Sequence, residues 1–338
     1  MLTGRPIRQP DGQPITVPHG FTDEYPLAGT IIHTSGNTNV PYKASALDVA
    51  HDHGLQTALM VARATLMTCA QSYDATNGAP DLVPPDNGRN KIDHVLVSEL
   101  PSSFIVDALL PVLTNASPCN YAFLHFSDLN LLGHNYGWGS SNYFDTLQTV
   151  DAQLGRMLAA IDQTPELAAP GQTALIVTAD YGGQDSNHTA AELLPIYTIP
   201  LIVWGGGFAP GTDLYSVFAN RADPGTNRLD YNAVWQPLRN GDTGNLALML
   251  LGLPPIPGST MIPMFPTHSP ALSVRPTDTG ARLEWTTAAV GFTLETSDRI
   301  GAPAVWQPIT QGVVTNANEF IYDLTPESGP RFFRLGHH

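Results

Sequence analysis

Short apolar runs separated by helical patterns fill the first three quarters of the chain. Residues 29–34, 55–62, 120–126, 173–178 and 198–204 are mostly apolar on both alternating faces, as strands of a parallel sheet covered by helices are. Between them, residues 44–53 read as a helix stopped by Gly54, a residue suited to the left-handed position after a helix. A longer helix starts at Ser140 or Ser141 and lines up Phe144, Leu147, Val150, Leu154, Met157, Leu158 and Ile161 on one stripe. Residues 243–251 form another, ended by Gly252 and Pro254-Pro255. The stretch 69–90 has no period, only turn residues, and reads as a long surface loop of the kind that borders functional clefts. This alternation of strand and helix predicts an α/β fold with a mostly parallel sheet.

The pattern changes after Pro254, Pro255, Pro257, Pro263, Pro266 and Pro270. Beyond this linker, residues 281–285, 291–295, 305–309, 319–323 and 331–335 alternate or form short runs between turn signals, which predicts a small β-sandwich. The division expected is an α/β core over residues 1–265, then linker and sandwich over residues 266–338.

Composition narrows the functional classes. Charged residues are 13% of the chain against an average of roughly 25%, and Gly and Pro number 30 each, so a helical bundle is disfavoured. With 15 basic and 30 acidic residues the formal charge is −15, and Lys43 and Lys91 are the only lysines. A nucleic-acid duplex or an anionic membrane surface would be repelled. The apolar stretch 246–253 is far shorter than the roughly 20 residues that span a bilayer, so no membrane span is expected. The first residues carry neither the basic nor the apolar region of an export signal. Cys69 and Cys119 either pair or are two buried thiols; no metal-spaced His or Cys accompanies them, which favours thiols.

Two segments concentrate reactive side chains, each just after a strand run: residues 125–139, His-Phe-Ser-Asp-Leu-Asn-Leu-Leu-Gly-His-Asn-Tyr-Gly-Trp-Gly, and residues 178–188, Thr-Ala-Asp-Tyr-Gly-Gly-Gln-Asp-Ser-Asn-His. Strand ends are where open α/β sheets bind ligands. Two of them can bring a carboxylate and two imidazoles together, a donor set that suits zinc. Other groups carry less. His51, Asp52 and His53 lie at a helix end, where residues two apart do not share a face. Gly205-Gly206-Gly207 lacks the Lys-Ser/Thr of a phosphate loop, and no Gly-x-Ser-x-Gly elbow occurs. Arg63 and Lys91 are possible anion contacts, and His337-His338 is assigned no role.

The motifs Asn-Leu-Leu-Gly-His with Gly-Trp-Gly, Thr-Ala-Asp-Tyr-Gly-Gly with a later His, and Ile199 to Gly205 resemble the alkaline phosphatase superfamily. Within it the chain is similar to bacterial type I phosphodiesterase and nucleotide pyrophosphatase proteins over about residues 1–265. Met1-Leu2-Thr3-Gly4-Arg5 resembles the segment that follows the nucleophile there, and residues 48–54, 86–93 and 236–259 add to the likeness.

The resemblance implies two zinc-like ions and a Thr or Ser nucleophile. His134 and Asp180 match metal ligands, and His188 corresponds to a further ligand His. Asn130 stands where the Asp-x-x-Gly-His motif has its Asp, so a charged ligand becomes a neutral amide. Asp128 would substitute if the strand continued and put it on the same face as residue 130. Tyr181 replaces the His of Thr-Ala-Asp-His-Gly, and a phenol is a poor ligand near neutral pH. The nucleophile and first metal-binding Asp would precede Met1, implying an N-terminally shortened chain of a periplasmic or secreted protein. The expected function is metal-dependent hydrolysis of small phosphate esters, impaired here, with sulfate or phosphonate esters as related possibilities. The alternative is a non-catalytic scaffold. The sandwich, fibronectin-III-like by this reading, would contact carbohydrate or a surface.

Overall fold

The structure, a computed structural model, describes residues 1–6, 29–37, 39–115, 117–169, 171–190, 192–218, 220–261, 272–278, 280–286, 292–299, 305–316, 319–325 and 329–337. Three parallel strands, β1 (Thr57–Val61), β2 (His94–Val97) and β3 (Tyr121–His125), form a sheet of order β2-β1-β3. All five residues of the central strand β1 are buried, and their alternation explains the layering. Leu59 and Val61 pack with Leu47, Val49 and Ala50 of α1 (Ala46–Asp52). Ala58 and Met60 point the other way, into Ile105, Val106 and Leu109 of α3 (Ser102–Leu113) and Met157 of α5 (Ser141–Gln163). Each such side chain contributes about 1.5–3 kcal/mol when fully buried, so a strand with two apolar faces drives a three-layer α/β/α arrangement.

The other helices are α2 (Met67–Ser72), α4 (Asp128–Tyr136), α6 (Pro165–Ala168), α7 (Leu194–Tyr197), α8 (Leu214–Val217) and α9 (Thr243–Leu250). Strands β4 (Ala174–Thr178) and β5 (Leu201–Gly205) pair antiparallel, and β4 faces the same two layers. Leu175 joins the α3/α5 side, and Ile176 joins Leu246 and Met249 of α9. Helix ends follow the local chemistry. Ser45 and Asp48 form a reciprocal capping box at α1, and the Ser140 hydroxyl accepts from the Tyr143 N–H at 3.2 Å to start α5.

The C-terminal strands β6 (Ser273–Thr277), β7 (Gly280–Thr286), β8 (Phe292–Ser297), β9 (Gln307–Pro308), β10 (Val313–Asn316), β11 (Glu319–Leu324) and β12 (Phe332–His337) build two antiparallel sheets, β10-β11-β7-β6 and β12-β8-β9. Leu283 and Trp285 of one sheet share a core with Leu294 of the other, the packing of a sandwich. The boundary placed at residue 265 lies outside the described residues.

Several expectations change. Residues 29–34 are not a strand: Ile32–Thr34 is a 3-10 turn, and the Ile32 N–H is spent on the Ser72 hydroxyl at 2.8 Å rather than on a ladder. The aperiodic stretch begins inside α2 before becoming irregular. Phe144 and Leu147, at the head of the α5 stripe, are exposed, whereas Val150, Met157 and Ile161 are buried. Cys69 and Cys119 are free thiols, both pushed up by burial, to about 11 and about 12 respectively. No helix among the described residues is long and apolar enough to cross a membrane.

At the N-terminal edge of β1, where Thr57 Oγ1 bonds the Lys91 carbonyl at 2.8 Å, a buried ammonium ties the long loop to α1. Lys91 Nζ lies 2.8 Å from Asp52 Oδ1 and also bonds Asp81, whose Oδ1 is 3.1 Å from His51 Nδ1. Lys91 is therefore an internal counter-ion and not an anion contact. Burial pushes the Asp81 carboxyl upward, yet hydrogen bonds led by that from Lys91 hold it well below the ordinary carboxylate range. Asp81 thus adds stability that is complete above its unfolded value of about 3.9 and is lost as pH falls below it. Lys91→Ala leaves two buried carboxylates uncompensated and is expected to cost about 3–5 kcal/mol. Urea unfolding at neutral pH measures this, and a midpoint equal to wild type would refute it.

Candidate functional site

The two segments read from sequence meet beyond the C-terminal ends of β3 and β4. After β3 ends at His125 the chain enters α4, which carries Asn130 and His134 four residues apart on one face. After β4 the chain runs through Asp180 and Tyr181 to a tight turn closed by the Gln184–Asn187 bridge, with Asp185 at φ 52°. Two bonds dock this turn on the end of α4. The Trp138 N–H donates to the Asp185 carbonyl at 2.6 Å, and His134 Nδ1 lies 3.1 Å from the Ser186 carbonyl.

A carbonyl only accepts, so the neutral His134 ring carries its proton on Nδ1 and presents a lone pair at Nε2. His188 Nε2 lies 3.1 Å from that atom. Tyr181 stacks on His188 with ring centroids 3.9 Å apart at 15°, and its hydroxyl donates to Asn130 Oδ1 at 2.8 Å. Asn130, His134, Tyr181 and His188 thus form one contiguous cluster in which His134 is exposed and the other three are half-buried. Two imidazole nitrogens sharing one tetrahedral zinc would stand about 3.3 Å apart, given bonds of about 2.0–2.1 Å. The observed 3.1 Å spacing is close to that value.

The remaining residues are placed differently. Asp180 is exposed: its Oδ1 accepts from the Tyr181 N–H at 3.1 Å, and its carbonyl accepts from Asn240 Nδ2 at 2.9 Å. Asp128 does not continue a strand. It opens α4, so it does not share a face with Asn130, and its carboxylate accepts from the Ser102 N–H at 3.0 and 3.2 Å and from Ser102 Oγ at 3.0 Å. Those bonds satisfy the buried first residue of α3.

The cluster of His51, Asp52 and Asp81 also has ligand-type atoms close together, but it lies at the opposite strand edge and Lys91 already supplies its positive charge. His125, inside the first segment yet not singled out from sequence, holds a buried Nδ1 with no hydrogen-bond partner among the described residues. Burial lowers its pKa, while the charge of Asp180 opposes that shift. Asn240 falls within the segment 236–259 that adds to the likeness, but no local pattern links it to residues 60 positions away.

Comparison with known proteins gives the family. The family model for type I phosphodiesterase / nucleotide pyrophosphatase matches residues 39–243, more than half of the chain, and the chain belongs to that family. It is also similar to GPI ethanolamine phosphate transferase 1 of Yarrowia lipolytica, 27% identical over 121 residues. That stretch is 36% of this chain and 12% of the curated relative, so the chain spans a small part of that protein's length.

Tyr181→Phe removes the hydroxyl donated to Asn130 and keeps the stack on His188. It is expected to lower stability by about 1 kcal/mol, measured by chemical denaturation. A larger effect of Asn130→Ala alone, without coupling to Tyr181 in a double-mutant cycle, would contradict the pairing.

Proposed function

We propose that the chain acts on phosphoric esters with one divalent ion, zinc by donor type, held by His134 and His188. The observation that carries this reading is the 3.1 Å approach of the two Nε2 atoms, with one ring already locked by the Ser186 carbonyl into the tautomer a ligand needs. Asn130 adds a neutral carbonyl oxygen whose second lone pair is not used by Tyr181. A divalent ion at this place would polarise a phosphoryl oxygen and neutralise charge developing on it. The Tyr181 hydroxyl donates a hydrogen bond to Asn130, and its ring buttresses His188 from one side. Asp180, next to Tyr181 in the chain, exposed, and close enough for its charge to act on His125, is the carboxylate available to a group entering from solvent. Family membership supports phosphoester chemistry, and the resemblance favours a periplasmic or extracellular setting.

A second reading, a scaffold without turnover, is favoured by the Asn130–Tyr181 hydrogen bond. Two neutral side chains satisfy each other where the family pattern has an Asp and a His, so the residues present support one ion and not two.

The test is elemental analysis of the purified chain together with hydrolysis of an aryl phosphodiester. The expected result is about one zinc per chain, lost when His134 and His188 are both changed to Ala. Hydrolysis should vanish on chelation, return with zinc and be abolished by His134→Ala. Activity surviving both treatments would overturn the metal mechanism; bound zinc without turnover would select the scaffold.

A further inference from the structure

Two glycines of the site motifs are spaced around a single ring. A Cβ at Gly133, inside α4, would lie 2.6–2.7 Å from Cε2, Cδ2 and Cζ2 of Trp138. A Cβ at Gly183, beyond β4, would lie 2.1–2.4 Å from Cδ2, Cε2 and Cγ of the same indole. Neither glycine has a positive φ, so close approach, and not backbone freedom, excludes a side chain at both places. The indole therefore fills a slot between the two segments, gripped on its Cδ2–Cε2 bond from both sides.

Its edges reach the candidate ligands. The ring meets His134 edge-on at 5.2 Å and 82° and His188 at 5.8 Å and 75°. Its backbone N–H makes the 2.6 Å bond to the Asp185 carbonyl, one residue before the carbonyl that fixes His134. Gly137, at φ 95°, turns the chain back after α4 so that Trp138 can enter the slot.

We infer that Trp138 is a positioning residue: seated between Gly133 and Gly183, it holds His134 and His188 at the spacing that binds a metal ion. The inference rests on the one-ion reading above. Without the indole, the 181–188 loop loses its packing against α4, and the two imidazoles are no longer held at a fixed separation. Each then binds an ion alone or through a longer, more hydrated arrangement.

Cobalt(II) is the probe, because its visible absorption distinguishes compact four-coordinate from six-coordinate binding. The full chain, Trp138→Ala, Trp138→Phe and the His134→Ala/His188→Ala double variant are titrated with cobalt and, by calorimetry, with zinc. Far-UV circular dichroism reports folding. Removal of groups that orient metal ligands typically costs 10–100-fold in affinity. Trp138→Ala is expected to weaken binding about 10-fold or more and to lose the four-coordinate spectrum. Trp138→Phe, whose ring fills only part of the slot, should fall between it and wild type and recover the spectrum. A role in stability alone would lower the unfolding midpoint without altering spectrum or affinity.

The outcomes separate the two claims. If wild type binds no ion, or binds one that the double histidine variant also binds, the one-ion reading fails and this inference fails with it. If wild-type binding depends on both histidines but either folded Trp138 variant keeps wild-type affinity and spectrum, the positioning role alone is overturned. Should Trp138→Ala not fold, Trp138→Phe decides.

Discussion

Everything at the candidate site depends on two backbone carbonyls of one turn, Asp185 and Ser186, which accept from Trp138 and His134 of a segment about fifty residues earlier. Ordering a residue costs roughly 1–2 kcal/mol of backbone entropy, so a helix end and a loop turn do not meet at a fixed distance by default. They do so here because each contributes to the other's polar satisfaction and because an indole occupies the space left by two glycines. The strand layer beneath supplies the fixed base. β1, buried on both faces, holds β3 and its helix layers in register, and the site-bearing segments leave from the ends of β3 and β4.

The distribution of charge is equally constrained. Both lysines of the chain are buried and structural. Lys43 Nζ donates to the carbonyls of His33 and Val40 at 3.0 and 3.1 Å, and Lys91 neutralises Asp52 and Asp81. Arg221 does the same for buried Asp242 at 2.7 Å. Lysine is thus consumed in holding acidic groups and loop carbonyls inside the core, and the surface of a chain of formal charge −15 carries none of it. A phosphate ester approaching such a surface finds little attraction from lysine side chains. For an anionic substrate, a cation held by the two imidazoles would supply positive charge that lysine does not, which ties this distribution to the proposed chemistry.

What was legible in sequence was what depends on local period and on short motifs. The two-faced apolar runs at β1, β3, β4 and β5 became strands, and Ser140, Gly54 and Gly252 marked helix ends because capping is a local interaction. Residues 29–34 misled because an apolar run says nothing about where its N–H groups bond, and Ser72 takes that of Ile32. β2 is only four residues long with mixed exposure, too short to show a period. In the site, His134 and His188 were legible as ligand-type residues. The turn that brings them together was not, since its bonds join residues 52 apart.

Asn130 and Tyr181 show how a departure can be structurally coherent. By the resemblance, each taken alone stands where the family pattern has a stronger metal donor; together they make a 2.8 Å hydrogen bond that leaves neither polar group idle. Paired as they are, the two substitutions are mutually compatible, and Tyr181 still contributes by stacking on His188. The same side chain thus closes one donor position and orders the next. On this physical account, a site built for more ligands could lose two of them and keep the two-imidazole geometry intact.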